Sequence, residues 1–230
     1  MTNVTRQIAD GTWAILLYEE AWQSHINSYV IAKQDVFLLI DSHLRKHRPY
    51  FQEALRQIGV PDGRIEHVYF THRHADHIGN ADLFSSRNNW IHLDDYYELD
   101  DFSQTLFGHT FTGSGGDVPF LKFRHLPFHT EGSVAFFDPQ TRVCFAGDHL
   151  CFFAEPLGGV VGSEPELRAK FLADLRDWKQ REPEKVETFA EGVELLLGWP
   201  IELLATGHGP ILQGDIHAFL QQMLHIIRQT

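Results

Sequence analysis

The sequence predicts a single α/β domain over residues 1–230 that carries two β-sheets. Three observations predict it. Apolar strand-like runs alternate with a helical pattern between residues 36 and 93, as in βαβ units with a partly parallel sheet. Apolar or alternating runs at 121–126, 133–138 and 143–146 supply strands of a second sheet. Side chains of metal-ligand type recur where such runs stop, which is how a rigid scaffold presents a site.

In chain order, residues 13–18 and 27–31 read as two strands, and 36–40 as a third that ends at Asp41. From Pro49 to Ile58 a helix places Phe51, Leu55 and Ile58 on one face, and Gly59 stops it. A strand over 65–70 follows the turn residues Pro61, Asp62 and Gly63, and residues 90–93 form the next parallel strand. Residues 100–120 contain Gly108, Gly113, Gly115 and Gly116 with little periodicity. They read as a flexible loop in which Phe107, His109 and Phe111 either line a substrate mouth or make a plain surface excursion.

Asp138, Pro139, Gln140 and Thr141 make a turn between two strands of the second sheet. Two amphipathic helices follow, one with Leu167, Phe171, Leu175 and Trp178 in a stripe, the other with Val186, Phe189, Ala190, Val193 and Leu197. Both stripes read as core contacts. A strand over 201–205 leads to His208, and a last helix carries Ile216, Phe219, Leu220, Met223 and Ile227. Neither a short fixed repeat nor a linker divides the chain.

Composition narrows the function. A net charge of −12 lacks the clustered cations that phosphate backbones require, and no basic block marks a membrane face. No apolar run approaches the length of a membrane span. The partner expected is a small molecule, with neither nucleic acid nor membrane involved. Cys144 and Cys151 are too few for a disulfide framework, and Cys144 reads as a buried thiol. Residues 1–7 lack a secretory pattern, so a cytoplasmic location is expected.

The centre of the sequence is the stretch 71–80. His72, His74, Asp76 and His77 fall within six positions directly after the apolar Val68, Tyr69 and Phe70. A turn after a strand can fan these side chains toward one point, and imidazole with carboxylate suits zinc, iron, manganese or cobalt. The plain alternative is a His-rich surface loop. Three later positions favour a metal: His129 before a strand, Asp148 behind Gly147 at a strand end, and His208 between Gly207 and Gly209.

With these motifs in this order over residues 13–210, the sequence resembles the metallo-β-lactamase fold superfamily. The resemblance implies a four-layer αββα sandwich of two mixed β-sheets. It also implies two divalent metal ions, zinc first with iron or manganese as alternatives. His72, His74 and His129 would hold one; Asp76, His77 and His208 the other; Asp148 would bridge them. Asp41 would support the ligand loop from behind the ligands, or else be a simple turn residue.

The implied chemistry is hydrolysis of an ester-like bond, such as a thioester or lactone, by a water that two cations about 3.5–4 Å apart ionise. Asp76 and Asp148 would be its catalytic carboxylates. His149, directly after Asp148, is a possible proton donor or pocket residue, and His25 precedes a strand that opens near the site. Arg73 and Ala75, alternating with ligands, are expected to point away.

Several branches share the pattern. Glyoxalase II-type enzymes usually carry a longer helical C-terminal region than the 22 residues after His208. Lactonases fit in size. One β-lactamase branch has Cys where Asp148 stands, and flavodiiron proteins have Glu where His74 stands. Persulfide dioxygenase-like iron chemistry matches the ligands equally well, and a non-catalytic metal module is the third class.

Overall fold

The computed structural model describes residues 2–153 and 160–229. The first half runs β1 (Val4–Ala9), β2 (Thr12–Glu19), β3 (Ser24–Lys33), β4 (Val36–Ile40), α1 (Arg48–Ile58), β5 (Ile65–Tyr69), the one-turn helix α2 (Ala75–Ile78), β6 (Asn89–His92), α3 (Leu93–Tyr97), α4 (Asp101–Gln104) and β7 (His109–Phe111). The second runs β8 (Gly115–Val118), β9 (Leu121–His125), β10 (Val134–Asp138), β11 (Val143–Gly147), β12 (Val161–Gly162), α5 (Pro165–Arg181), α6 (Pro183–Leu197), β13 (Leu203–Thr206), β14 (Ile211–Gln213) and α7 (Ile216–Arg228).

Seven strands in sequence order, β1 to β7, make one sheet; the other has the order β12-β14-β13-β11-β10-β9-β8. Both sheets are mixed. In the first, β1 to β4 pair antiparallel and β4 to β7 parallel. In the second, β11 and β13 form a parallel pair.

Period-2 alternation sorts the side chains into layers. On β2 and β3, Ala14, Leu16, Tyr29 and Ile31 face the other sheet, where Phe136, Phe145 and Ala205 meet them. Their neighbours Ile15, Leu17 and Val30 face outward beneath Phe51 and Ala54 of α1. On β11, Val143 and Phe145 point between the sheets, while Cys144 and Ala146 point at Val186, Phe189 and Val193 of α6. The stripe Leu167, Phe171 and Trp178 of α5 packs on the same outer layer. Each large side chain so buried contributes about 1.5–3 kcal/mol. The result is the expected αββα sandwich.

Residues 100–120 depart from the expectation of a loop. They contain α4, then β7 at the edge of one sheet and β8 at the edge of the other, so the segment is the crossover between sheets. Strands of three and four residues, one opening with two glycines, are too short to show a period. The short β12 and β14 escape detection for the same reason, whereas β1, six residues long, does so because polar Thr5, Arg6 and Gln7 interrupt its apolar positions.

Parallel pairing aligns strand ends. β4 and β5 finish together, as do β11 and β13, so Asp41, Thr71, Asp148 and His208 follow strand ends of two facing sheets. Cross-sheet bonds lock this edge: Asn27 Nδ2 donates to the carbonyls of Thr206 (3.0 Å) and Gly209 (2.9 Å), and Tyr29 Oη to Thr206 O (2.6 Å).

Candidate metal centre

After β5 the chain turns at Thr71 and His72, and His74 caps α2 by accepting main-chain N–H bonds from His77 (2.9 Å) and Ile78 (3.0 Å). That single helical turn sets Asp76 beside His77. His129 comes from the β9–β10 connection, Asp148 from the end of β11 and His208 from the turn after β13. A Cβ at position 207 would overlap Asp148 Oδ1, so only glycine lets the His208 turn approach this closely.

The seven side chains form two groups. In one, His74 Nδ1 lies 3.1 Å from His72 Nε2 and 2.8 Å from His129 Nε2, and Asp148 Oδ2 lies 3.4 Å from His129 Nε2. In the other, His77 Nε2 is 3.2 Å from Asp76 Oδ2 and 3.3 Å from Asp148 Oδ1. His208 Nε2 is 3.2 Å from Asp76 Oδ2 and 3.3 Å from Asp148 Oδ2. A tetrahedral ion with bonds of about 2.0–2.1 Å separates its donors by about 3.3–3.4 Å. The second group has that spacing, and Asp148 faces both groups.

Unsatisfied atoms test the fit. His77 Nε2, His208 Nε2 and Asp148 Oδ1 are buried without a hydrogen-bond partner, a rare and costly state that a cation would relieve. The donor set therefore fits a pair of divalent cations.

The outer partners orient these rings. Asp41 Oδ2 accepts from His77 Nδ1 at 2.8 Å, which turns Nε2 toward Asp148. The same carboxylate accepts the Thr71 N–H and Oγ1–H, each at 2.8 Å. On His208 it is main chain that orients the ring: Nδ1 lies 3.1 Å from the carbonyl of His25.

Charge is finely opposed here. Burial alone would raise the Asp148 carboxyl, but His208 and His77 beside it hold it well below the usual carboxylate range. Burial would depress His77, yet Asp148, Asp41 and Asp76 raise it well above the ordinary imidazole value. His208 is raised by Asp148 and Asp76 against the same burial effect. Burial and the neighbouring His77 charge push His72 far down, and burial lowers His129. The carboxylates of the second group thus favour positive charge at this spot, which a divalent cation would supply.

Other expected residues fall elsewhere. The His25 ring packs on Tyr18 and meets Thr2 O, so its contribution is its carbonyl. His149 points away from the ligands, stacked on Phe189 and edge-on to Phe128. Phe107 is buried against Phe70 in the core beneath α1, and His109 stacks on Trp90. Neither lines the mouth. Arg73 does point away, to Asp95, but Ala75 lines the mouth because it sits on a helical turn where strand alternation does not hold.

Sequence reasoning missed three residues. Trp22, from the turn Glu20–Trp22, and Phe153 line the mouth with His74, Asp76, His129 and Asp148. Phe153 stacks on the His208 ring with centroids 4.1 Å apart, and Trp22 meets it edge-on at 5.9 Å. Asp95 is the third. A further group, His92, Asp94 and His125, lies close together; its two rings stack at 14°, and His125 Nε2 already meets the Glu131 carbonyl at 2.6 Å.

Fold and donors together define a metal-binding αββα protein. A family profile described as metallo-beta-lactamase superfamily matches residues 21–208, and the chain belongs to that superfamily. It is 24% identical to the uncharacterized protein YobT of Bacillus subtilis, over 86% of this chain and 92% of that one. It is 29% identical to metallo-beta-lactamase domain-containing protein 1 of Xenopus laevis, over 53% of each chain. Among solved structures, a flavoprotein from Thermotoga maritima superposes with a TM-score of 0.79 at 17% identity, covering 99% of this chain. The chain spans 62% of that flavoprotein's length. The DIM-1 metallo-beta-lactamase gives 0.66 at 13% identity, with 98% and 96% covered. At these identities the structural likeness is one of fold. No helix among the described residues is long and apolar enough to cross a membrane.

Proposed function

We propose that the protein is a dinuclear metallohydrolase, with zinc as its metal, that cleaves an ester-like bond in an uncharged small molecule. The observation that carries the reading is the donor set. Five imidazoles and two carboxylates converge, with His74 where the flavodiiron pattern has Glu. Two divalent cations would keep a surplus of positive charge over so few anionic donors, which favours Lewis-acid work; iron that cycles to its trivalent state is better served by more carboxylates. Bound there, the cations would supply an ionised water near neutral pH and polarise the scissile carbonyl.

The chain's own groups do the rest. Asp148 faces both groups of donors and fixes their separation. The Asp76 carboxylate is kept ionised: burial opposes this, but His77 and His208 outweigh it. At the mouth it can accept a hydrogen bond from the attacking water. Trp22 and Phe153 form an apolar wall on the His208 side that limits water access. No Lys or Arg lines the mouth among the described residues, which supports a neutral substrate over an anionic one. Two free thiols fit action in the reducing cytoplasm.

The test is a hydrolysis panel with zinc-loaded protein at neutral pH: a lactone, a thioester, a chromogenic cephalosporin and an activated phosphodiester, each with a chelator control. A chelator-sensitive rate on an uncharged ester-like substrate is expected. A flat panel, with oxygen uptake by iron-loaded protein on a persulfide, would replace hydrolysis by redox chemistry.

A further inference from the structure

Three histidines that meet at one point arrive on two segments far apart in sequence, and one buried carboxylate holds both. Asp95 lies on α3 with no exposed surface. Its Oδ2 accepts the Arg73 main-chain N–H at 2.8 Å and the Thr130 hydroxyl at 2.8 Å. Its Oδ1 accepts Arg73 Nη1 at 2.6 Å and the Gly132 N–H at 2.9 Å. Arg73 stands between His72 and His74, and Thr130 directly follows His129. All four bonds are charge-assisted, a type roughly twice as strong as neutral ones.

Two further features fit this junction. A Cβ at position 132 would come within 2.7 Å of Asp95 Cγ, so glycine is what admits the carboxylate. The Arg73 guanidinium that meets Asp95 also reaches Glu131 Oε2 at 2.7 Å, and so spans the same two segments.

We propose that Asp95 is the positioning residue of the three-histidine half of the centre: it sets the distance between His129 and the His72–His74 pair. Asp41 serves His77 in the other half. The proposal rests on the dinuclear reading of the site. Asp95 touches no ligand ring; it acts through the backbone on either side of the ligands. Partners behind metal ligands typically change affinity by about 10–100-fold.

The test measures Zn²⁺ binding to the full chain by competition with a chromophoric chelator, in two single-site backgrounds. His77→Ala leaves the three-histidine half, and His129→Ala leaves the other. Asp95→Asn is expected to weaken binding about 10–100-fold in the first background and by less than about twofold in the second. A purely structural role would weaken both alike, and that result, or no loss in the first, overturns the proposal. Thr130→Val removes one of the four bonds and carries the same test with a smaller selective shift should circular dichroism show Asp95→Asn unfolded. Wild-type protein that holds fewer than two equivalents of Zn²⁺ overturns the dinuclear reading and the proposal with it. Two equivalents with an unselective Asp95→Asn effect overturn the Asp95 assignment alone.

Discussion

His77 donates its Nδ1–H to Asp41 Oδ2 at 2.8 Å, and its opposite nitrogen stands 3.3 Å from Asp148 Oδ1. The bond fixes both tautomer and ring orientation. Asp41 itself sits at φ +60°, a backbone state in which Asp and Asn are tolerated. Asp41→Asn therefore keeps the turn but sets an amide where a carboxylate accepted three N–H or O–H donors. Zn²⁺ affinity is expected to fall about 10–100-fold in a chelator competition. Unchanged affinity would show that the ring holds its orientation by packing alone.

Asp148 is the side chain both halves share. Asp148→Ala is expected to bring metal content below two equivalents per chain by elemental analysis. Hydrolysis should fall by at least about 10²–10³-fold, the scale of losing a central electrostatic group. Full metal occupancy together with retained activity would remove Asp148 from the centre.

The local part of this arrangement was legible and the rest was not. His72, His74, Asp76 and His77 lie in one short stretch, and Asp148 and His208 each sit beside glycine at a strand end, so spacing alone announces them. Asp95 carries no such mark. In sequence it is one acid in a run with Asp94, Glu98, Asp100 and Asp101, and its meaning comes from contacts with residues 73, 130 and 132. Trp22 and Phe153 are likewise ordinary aromatics until the fold brings them to His208. Phe107 and His109 lie in a segment without a period, which leaves a substrate mouth and a surface excursion equally open; Phe107 instead packs on Phe70 in the core and β7 stacks His109 on Trp90, away from the site.

A second buried carboxylate separates stability from metal binding. Lys33 Nζ on β3 lies 2.8 Å from both oxygens of Asp138 at the end of β10, a bond between the two sheets with both side chains nearly buried. Asp138→Ala strands the ammonium in that interior. Unfolding free energy is expected to drop by about 3–5 kcal/mol in urea titration, as for other broken buried pairs. Zn²⁺ stoichiometry should stay the same, because no contact of Asp138 reaches the ligands. A loss of metal without a loss of stability would contradict that separation.

His149 supplies a pH signature of its own. Its ring is buried in an aromatic setting of Phe128 and Phe189, and neither ring nitrogen makes a hydrogen bond of ordinary geometry. Burial pushes its pKa down to about 3, and a weak contact with the Phe189 main chain does little to offset this. In the unfolded chain the same group titrates near 6.5. Below that pH the unfolded state takes up a proton that the folded state refuses, so stability falls as pH drops from about 6.5 toward the folded value. The slope for one such group is about 1.4 kcal/mol per pH unit. His149→Phe keeps an aromatic ring in the stack and removes the proton site. With both proteins in chelator, the stability difference between variant and wild type should shift by about 2 kcal/mol in favour of the variant between pH 7 and pH 5. Parallel pH profiles would mean that His149 is protonated or hydrogen-bonded in the folded chain, and would restore it as a candidate for proton transfer beside Asp148.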